Sequence, residues 1–568
     1  MIMVILNWLY IAITSFVTGF AVLSFFSGIF KTEQRKVLPC VWAGLAVNTV
    51  YAQIWSLFGG VKTAANIVLI TATAVLIVLM REKMGNCLVK AKSDIASVRG
   101  LRYVYATVLI LMAYGTSRGI IHYDTSLYHA QSIHWIEEYG VVKGLACLQL
   151  RFGYNSSAFA LTALYSFKSV TGQSLHTTAG FFALLGAIHV VDIYKIFADK
   201  RVRTSDFIRL GLLFYLGLIF REMVSPASDY YAQILIFAVL IMWLEALEEE
   251  STEYSYAMLS ILLVYAATVK FSIALLVLLA IKPAVMMIRK KQIKQIVFSL
   301  AGGIIVLVPF LIRNVIISGW LIYPSTIIDL FDFDWKIPKG LAQYDAMEIG
   351  VYGKGINDVT LYNMPMKNWL PSWFAGMSII EKGWVLLTAV SIIIGTAYFI
   401  YKLIKRKADY DRLLIWCVMV AGSVFWFMTA PLVRYGYGYL TCVPLLTDSF
   451  LCMEMVEKSR DRRSLYIAYI AVLVVISLYR VKTVGYDILA TIREPYYLEQ
   501  KDYIDWPAER YELDGHTIYV PKQDALIGYN LFPASLLSID VQMRGDSFED
   551  GFRFRDYQAF LDSYENDN

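Results

Sequence analysis

The sequence predicts an all-α polytopic membrane protein with about fourteen transmembrane helices, or at least about twelve. Of its 568 residues, 58% are hydrophobic and 17% are charged, whereas soluble domains carry about 25% charged residues. The apolar residues fall in repeated runs of about twenty, the length that crosses a bilayer core as a helix. Tyrosine and tryptophan, which favour both membrane interfaces, are abundant. Together these features exclude a soluble enzyme, a disordered chain and a nucleic-acid-binding domain.

The predicted spans are 3–30, 37–58, 63–80, 103–121, 176–197, 206–220, 230–247, 254–269, 271–288, 296–312, 383–401, 413–430, 439–456 and 465–481. We interpret the first as a retained helix, because its apolar stretch is too long for the core of a signal peptide and no basic residue precedes it. A further apolar stretch, 157–170, is predicted to be a half-helix or re-entrant segment. Counting it as a span would move a basic loop to the opposite side of the membrane.

Lysines and arginines set the predicted orientation. The segments rich in them are 81–102, 198–209, 289–294, 402–412 and 457–464. With fourteen spans all five fall on one side, which the positive-inside rule assigns to the cytoplasm. The prediction is a multi-pass protein of the bacterial cytoplasmic membrane, with its long loops and its C-terminus outside the cytoplasm.

Three parts follow from this topology. Residues 1–80 form an N-terminal addition of three membrane helices, and 100–481 form the transmembrane core. The external loops of that core are 122–175, 221–229, 313–382 and 431–438. Residues 482–568 form an external tail with eight basic and seventeen acidic residues, a net charge of −9. Its pattern predicts a small mixed α/β segment with a strand or two.

The most informative stretch follows the fourth span, where Asp124 lies at the membrane boundary. A carboxylate there is costly unless it faces water or a partner, so Asp124 is a candidate functional residue. The alternative is that Asp124 only caps the next helix, since Asp-Thr-Ser is a good capping sequence. The spacing of apolar residues predicts an amphipathic helix over 125–139, lying on the membrane. His122, His129 and His134 are poorly spaced for one metal ion, so we interpret them as packing residues.

Asp229 is the second candidate carboxylate. It lies in the loop 221–229, where Ser228 and Asp229 are suited to cap the following helix. One interpretation is therefore a capped hairpin between two spans. The functional alternative is a carboxylate that faces Asp124 across a cavity.

Several basic residues fall on the external side, against the positive-inside trend. The candidates for a phosphate site are Arg118, Arg221, Lys270, Arg313 and Arg434. Snorkelling explains any one of them singly. Several that converge would bind phosphate, because arginine offers bidentate contacts and lysine a point charge.

Two motifs carry a family resemblance. Tyr123 to His129 read Tyr-Asp-Thr-x-Leu-Tyr-His, and Arg313 to Pro324 read Arg-Asn-x-x-x-Ser-Gly-x-x-x-Tyr-Pro. The arrangement resembles the GT-C superfamily of polytopic glycosyltransferases, and more closely a bacterial set of membrane proteins that share both motifs. The resemblance covers roughly 100–480.

The resemblance implies a GT-C-like core and a membrane glycosyltransferase of cell-surface polysaccharide or glycoconjugate synthesis. Its donor would be a sugar on polyprenyl phosphate, and a glycan or protein would accept the sugar outside. Asp124 would be the catalytic base. Asp229, which matches the second-loop acid, would be the second catalytic residue and orient the acceptor or the base. The residues expected around the substrate are Tyr123, Tyr128, His129, His134, Asn314 and Tyr323.

Cofactors and competing functions stay open at this point. Many GT-C relatives carry paired acids in the first loop, whereas here Asp124 stands alone until Glu137 and Glu138. The sequence therefore predicts no metal ligands, and a divalent metal remains an alternative. A flippase or transporter of lipid-linked oligosaccharides, or a polysaccharide polymerase, would also have many spans. The long external segments and the lack of a two-fold repeat favour an enzyme facing outward.

Overall fold

The structure is a computed structural model that describes residues 1–33, 36–459, 461–522, 525–537 and 540–556. Arg460, one of the basic residues used to predict the topology, lies outside the described residues. So do residues 557–568, the end of the predicted mixed α/β segment.

Helices make up most of the described chain. The first eleven α-helices are Ile2–Phe30 (α1), Val37–Ser56 (α2), Thr63–Ser97 (α3), Leu101–Ser117 (α4), Ala130–Glu138 (α5), Leu145–Leu148 (α6), Ser157–Leu164 (α7), Lys168–Thr171 (α8), Thr178–Val191 (α9), Tyr194–Asp199 (α10) and Thr204–Leu218 (α11). The next ten are Ser228–Glu248 (α12), Glu253–Val269 (α13), Ile281–Arg289 (α14), Ile293–Ser318 (α15), Lys339–Gly353 (α16), Met366–Gly376 (α17), Ile379–Ile404 (α18), Tyr410–Thr429 (α19), Val433–Ser459 (α20) and Arg462–Thr491 (α21).

Tighter and wider helical turns complete the helical part. A π-helical turn covers Thr125–His129. The 3₁₀ segments are Leu150–Gly153, Phe220–Glu222, Phe271–Ala280, Val359–Asn363 and Phe548–Asp550. The third of these is unusually long, since 3₁₀ runs beyond three or four residues are uncommon.

Within the described residues, eleven helices are long and apolar enough to cross a membrane, when α9 is joined to α10 and the 3₁₀ segment Phe271–Ala280 to α14. The protein is therefore an all-α, multi-pass membrane protein. The other three predicted spans coincide with α4, α11 and α13, which have 17, 15 and 17 residues. These lengths are at or just below the lower limit of about 17 residues for crossing a bilayer. The three helices are therefore found where the sequence predicts them, but they are shorter than typical spans.

The basic segment 81–102 is mostly not a loop. Helix α3 continues through it to Ser97 and reaches 35 residues, or about 50 Å at 1.5 Å per residue. Its sequence beyond the apolar stretch, 81–97, contains three lysines and two alanines, which are good helix formers. The positive charge is thus carried on a helical extension of the span.

The spans differ in how deeply the protein encloses them. Helix α12 lies in the centre, with 83% of its apolar stretch buried, whereas α15 and α21 have 17% and 11% buried. A helix that is apolar on every side is suited to the interior of a bundle or to lipid contact. Here α12 takes the first role, and the outer helices take the second.

The first two helices are part of the same packed body. Gly44 of α2 lies so close to α1 that an added Cβ would fall 1.7 Å from the Ser15 carbonyl oxygen. Small residues allow such close approach between membrane helices. Trp8 donates its indole N–H to the Thr177 carbonyl at 2.9 Å. Residues 1–80 therefore share one hydrophobic core with the later helices.

The tail forms two antiparallel two-stranded sheets. Ala508–Leu513 (β1) pairs with His516–Pro521 (β2), and Asp540–Met543 (β3) pairs with Phe552–Asp556 (β4). An isolated hairpin is marginally stable in water, so these sheets need support. The loop 122–175 supplies this support, because Ile518 and Phe552 are buried in one hydrophobic cluster with Trp135.

Candidate functional site: a charge cluster at one end of the bundle

Four charged side chains meet at one end of the bundle, and we call them the charge cluster: Asp124, Asp229, Lys270 and Arg434. Asp124 follows the end of α4, and Asp229 lies in the first turn of α12. Lys270 follows the end of α13, and Arg434 lies in the first turn of α20. Chain direction alternates between these helices, so the ends that carry the four residues lie on the same side.

The guanidinium of Arg434 connects the two carboxylates. Its Nη2 donates to Asp124 Oδ2 at 2.5 Å, and its Nε lies 3.7 Å from Asp229 Oδ2. The other carboxylate oxygen of Asp229 accepts a hydrogen bond from the Lys270 ammonium. The cluster thus holds two positive and two negative charges in alternation, so each charge has an opposite neighbour.

Tyr435 forms the aromatic side of the cluster. The Lys270 ammonium lies 4.1 Å from the centre of its ring, and the Arg434 guanidinium carbon lies 5.1 Å from it. Both distances are within the range of cation–π attraction. Its hydroxyl also accepts from Arg434 Nη2 at 3.2 Å. One ring therefore fixes the position of both cations.

His122 contacts the cluster from the first external loop. Its Nε2 accepts from Arg434 Nη1 at 2.6 Å, because a guanidinium only donates. Burial lowers the pKa of His122 below its ordinary 6.5, and Arg434 lowers it further while Asp124 raises it. A neutral imidazole is the form that this contact requires.

The capping interpretation of Asp124 is wrong. The Asp124 backbone is helical, and its side chain makes no capping hydrogen bond; its carboxylate goes to Arg434 instead. The chain after it forms the π-helical turn over Thr125–His129, a conformation that is frequent at functional sites. Sequence analysis did not predict this π-helical turn.

The capping interpretation of Asp229 is wrong in the same way. Helix α12 begins after Ala227 with no side-chain cap, and Asp229 lies one residue inside it. The partial positive charge of the helix N-terminus favours a carboxylate there. Asp229 is joined to Asp124 through Arg434 instead of facing it across an open gap.

A close contact between two loops holds Asp124 in place. Gly119 has φ of +110°, and a Cβ there would fall 2.2 Å from the Arg221 carbonyl oxygen. That carbonyl accepts from the Ile120 N–H at 2.9 Å, and Ser225 Oγ accepts from the His122 N–H at 2.7 Å. Glycine is therefore required at position 119 both for its conformation and for the space.

Gln233 positions the segment that carries Arg434. It lies one turn after Asp229 on the same face of α12. Its amide nitrogen donates to the Tyr435 carbonyl at 2.9 Å, and its amide oxygen accepts from the Gly438 N–H at 2.6 Å. Sequence analysis missed Gln233, although its spacing of four from Asp229 was a usable signal.

Of the five predicted phosphate-binding residues, only Lys270 and Arg434 enter the cluster. Arg118 is 1% exposed and lies between the rings of Tyr114 and Tyr497, 4.1 and 4.2 Å from their centres. Arg313 is also 1% exposed, and its Nε donates to Asn155 at 3.3 Å. Both guanidinium groups are buried in contacts with other residues, so neither lies in the charge cluster.

Arg221 lies beside the cluster without joining it. Its backbone carbonyl supports the Gly119 turn, while its side chain interacts electrostatically with Asp487 of α21. The prediction of a convergent set of five basic residues is thus reduced to a pair by the structure.

Three of the predicted substrate residues lie close to the cluster. Tyr123 is 53% exposed at its edge. Tyr128 and His129 are behind Asp124, with ring centres 4.3 Å apart. Burial raises the pKa of Tyr128, and the carboxylates of Asp124 and Asp229 raise it further. Burial lowers the pKa of His129 well below 6.5, which favours the neutral imidazole.

The other three predicted substrate residues make contacts elsewhere. His134 stacks between Tyr529 and Phe532 of the tail, at 4.1 and 3.8 Å between ring centres. Asn314 accepts from the Asn155 amide at 2.9 Å. Tyr323 packs against the Tyr154 ring at 6.0 Å. They support the external loops and do not touch the charge cluster.

The predicted surface helix is enclosed by protein. Every residue from Ala130 to Glu137 in α5 is buried, because the tail and α7 cover it. The re-entrant candidate forms α7, an eight-residue helix that is buried throughout. A helix of eight residues is too short to cross a bilayer.

In the part of the chain that the structure describes, no three histidine, cysteine, aspartate or glutamate side chains are grouped to hold a metal ion. The cluster carboxylates already have cationic partners. The groups present here are carboxylates, which can transfer protons, beside an arginine and a lysine, side chains of the kind that bind anions.

The fold and the charge cluster define a multi-pass α-helical membrane protein with a polar site at one end of its bundle. Residues 1–441 match the model of a family described as a domain of unknown function, DUF8201, and the chain belongs to that family. The matched region includes all four cluster residues and begins with α1, whereas the tail lies beyond it. No curated protein and no solved structure matches the chain.

Proposed function

We propose that this protein is a GT-C-like membrane glycosyltransferase. It moves a sugar from a polyprenyl-phosphate-linked donor to a glycan or protein acceptor on the external side. The observation that supports the proposal is the convergence of Asp124, Asp229, Lys270 and Arg434 from four separate elements at one end of the bundle. Such a set combines a base with cations suited to a phosphate leaving group.

Lys270 and Arg434 bind the donor phosphate in this proposal. Arg434 Nε is buried and has no hydrogen-bond partner among the described residues, and the side chains of Arg434 and Lys270 are 28% and 21% exposed. The exposed part of each side chain is accessible to a ligand, and the buried Arg434 Nε has an N–H that is still free to donate. Arginine and lysine together give phosphate both a directional donor and a point charge.

Asp124 takes the proton of the acceptor hydroxyl. The acceptor oxygen then forms a bond to the anomeric carbon, from the face opposite the phosphate. The bond between that carbon and the phosphate oxygen breaks, and its electron pair stays on the phosphate, where Arg434 and Lys270 stabilise the added charge. Asp229 keeps the two cations in position throughout.

The proposal also fixes an orientation. The basic segments face the bacterial cytoplasm, and the charge cluster, the long loops and the tail face the outside. The N-terminus is on the same side as the tail, since the Met1 amine donates to the Tyr496 carbonyl at 2.8 Å. An external site suits a lipid-linked donor, which is used at the membrane surface.

The test is transfer by the purified full chain in liposomes that contain a synthetic polyprenyl-phosphate sugar and a hydroxyl acceptor. Asp124→Asn should lower the rate by about 10²–10⁴-fold, the usual contribution of a general base. Glu348→Gln is the control, because Glu348 pairs with Arg151 at 2.9 Å away from the cluster. Full activity of Asp124→Asn would refute the base assignment. Movement of intact donor across the vesicle without transfer would indicate a transporter instead.

A further inference from the structure

A large cavity lies at the other end of the bundle. It is a groove of about 1000 Å³ between α1, α2, α12, α13 and α15. Its walls are mainly apolar and include Leu23, Phe26, Trp42, Met258, Ile261 and Phe298. We call it the apolar groove.

The groove is separate from the charge cluster. It contacts α13 between Tyr254 and Leu262, whereas Lys270 lies beyond the opposite end of that helix. Eight residues separate Leu262 from Lys270, a distance of about 12 Å at 1.5 Å per residue. The groove therefore does not form part of the proposed phosphate site.

An apolar cavity of this size needs an apolar occupant. Water does not fill apolar cavities, and unfilled space forfeits packing contacts. The helices around the groove are membrane spans, so hydrocarbon chains are the solvent that reaches it. Each methylene buried in an apolar site adds to the affinity of a lipid chain.

Charged residues form the rim of the groove at the ends of the helices. The basic ones are Lys36 and Lys90, and the acidic ones are Glu33, Glu245, Glu249 and Glu250. Lys36 pairs with Glu249 at 3.0 Å. Glu245 pairs with Arg209, and with that arginine included the four carboxylates still outnumber the three cations. This excess disfavours an anionic headgroup and favours one that carries an ammonium beside its phosphate.

We propose that the apolar groove is a binding site for a zwitterionic phospholipid with a primary amine, phosphatidylethanolamine. The acyl chains fill the groove, Lys90 contacts the phosphate, and Glu250 accepts from the ammonium. This site is independent of the proposed transfer activity.

The first experiment measures bound lipid by native mass spectrometry. The full chain is reconstituted with equal amounts of phosphatidylethanolamine, phosphatidylcholine, phosphatidylglycerol and polyprenyl phosphate, and is then returned to detergent. Phosphatidylethanolamine should be retained in preference to the other three. Ala43→Trp, which fills the groove from α2, should lower that retention about tenfold, since it displaces several methylenes. Ala389→Trp, on the exposed face of α18, should leave it unchanged.

The second experiment changes the charge at the rim without filling the groove. Glu250 is exposed, so Glu250→Lys is not expected to disturb folding. This variant should shift the preference towards phosphatidylglycerol while the total amount of retained lipid stays the same. Equal retention by wild type and Ala43→Trp would overturn the proposal, and so would a wild-type preference for phosphatidylglycerol or polyprenyl phosphate.

Discussion

Arg434 Nη2 donates to Asp124 Oδ2 at 2.5 Å across a separation of 310 residues. The same guanidinium donates to His122 and lies beside Asp229. One side chain at the start of α20 therefore holds the loop after α4 and the start of α12 together. This geometry depends on a planar group with several fixed N–H donors.

Arg434→Lys should fail to replace the arginine. A lysine keeps the charge but has no rigid fork, so it cannot contact His122, Asp124 and Asp229 at once. We expect transfer to fall about 10²-fold or more, the usual effect of removing an electrostatic donor from an active site. Lys354→Arg, in the external loop, is the matched control. A lysine variant with wild-type kinetics would show that charge alone is sufficient at position 434.

Gly119→Ala should destabilise the site. The new Cβ would meet the Arg221 carbonyl oxygen, and alanine is strained at φ of +110°. We expect a loss of about 1–3 kcal/mol, measured as a lower Tm in detergent. Gly85→Ala is the control, because Gly85 lies in α3 with nothing within 4 Å of an added Cβ. The control should keep or raise the Tm, since alanine is the better helix former.

A double-mutant cycle tests the pair formed by Lys270 and Asp229. Lys270→Met alone leaves the Asp229 carboxylate largely buried without its nearest cation. The expected loss of stability is below the roughly 3–5 kcal/mol typical of a broken buried pair, because Arg434 remains 3.7 Å away. Adding Asp229→Asn should recover part of that loss. Additive effects in the cycle would mean that the two residues do not interact.

His134 should make the docking of the tail sensitive to acid. Burial and, to a smaller extent, the Lys168 ammonium lower its pKa from 6.5 to about 4. Its Nδ1 donates to the Tyr529 carbonyl at 3.0 Å, and its Nε2 accepts from Lys168 at 2.7 Å. Between pH 6.5, the pKa of an unfolded histidine, and about pH 4, the pKa in the folded state, the unfolded state binds a proton that the folded state does not. Stability should therefore fall as the pH drops from about 6.5 to about 4, by up to about 3 kcal/mol, and change no further below it.

The measurement for His134 is the Tm as a function of pH. His134→Phe keeps a ring that stacks on Tyr529 and Phe532 but does not titrate in this range. The variant should lose the His134 part of the acid sensitivity. Identical pH profiles for variant and wild type would assign the acid sensitivity to other groups, such as His129, whose pKa is also lowered by burial.

The proposed orientation can be tested by cysteine labelling in cells. Asn357 lies in the external loop and Lys407 in a basic segment, and both are exposed. In a Cys417→Ser background, Asn357→Cys should react with a membrane-impermeant maleimide in intact cells. Lys407→Cys should react only after the membrane is opened. The reverse labelling pattern would show that the proposed orientation in the membrane is inverted.

The sequence alone predicted the helices of the bundle well. Apolar runs and basic segments are local properties, so α1, α12 and α15 were recognisable from length and composition. The same signals could not separate full spans from the shorter α4, α11 and α13. Nor did they reveal that α3 continues as a helix through its basic segment, since the charge there also suits a loop.

At the site, the sequence by itself determined which residues were unusual. Asp124, Asp229, Lys270 and Arg434 were all identified because charge is scarce near membrane spans. Only the tertiary structure decided that these four meet, while Arg118 and Arg313 are held in other contacts, and that neither aspartate is a helix cap. The physical reason is that a side chain's partner depends on which helix ends come together in space. Residues 310 positions apart leave no local pattern that records such a contact.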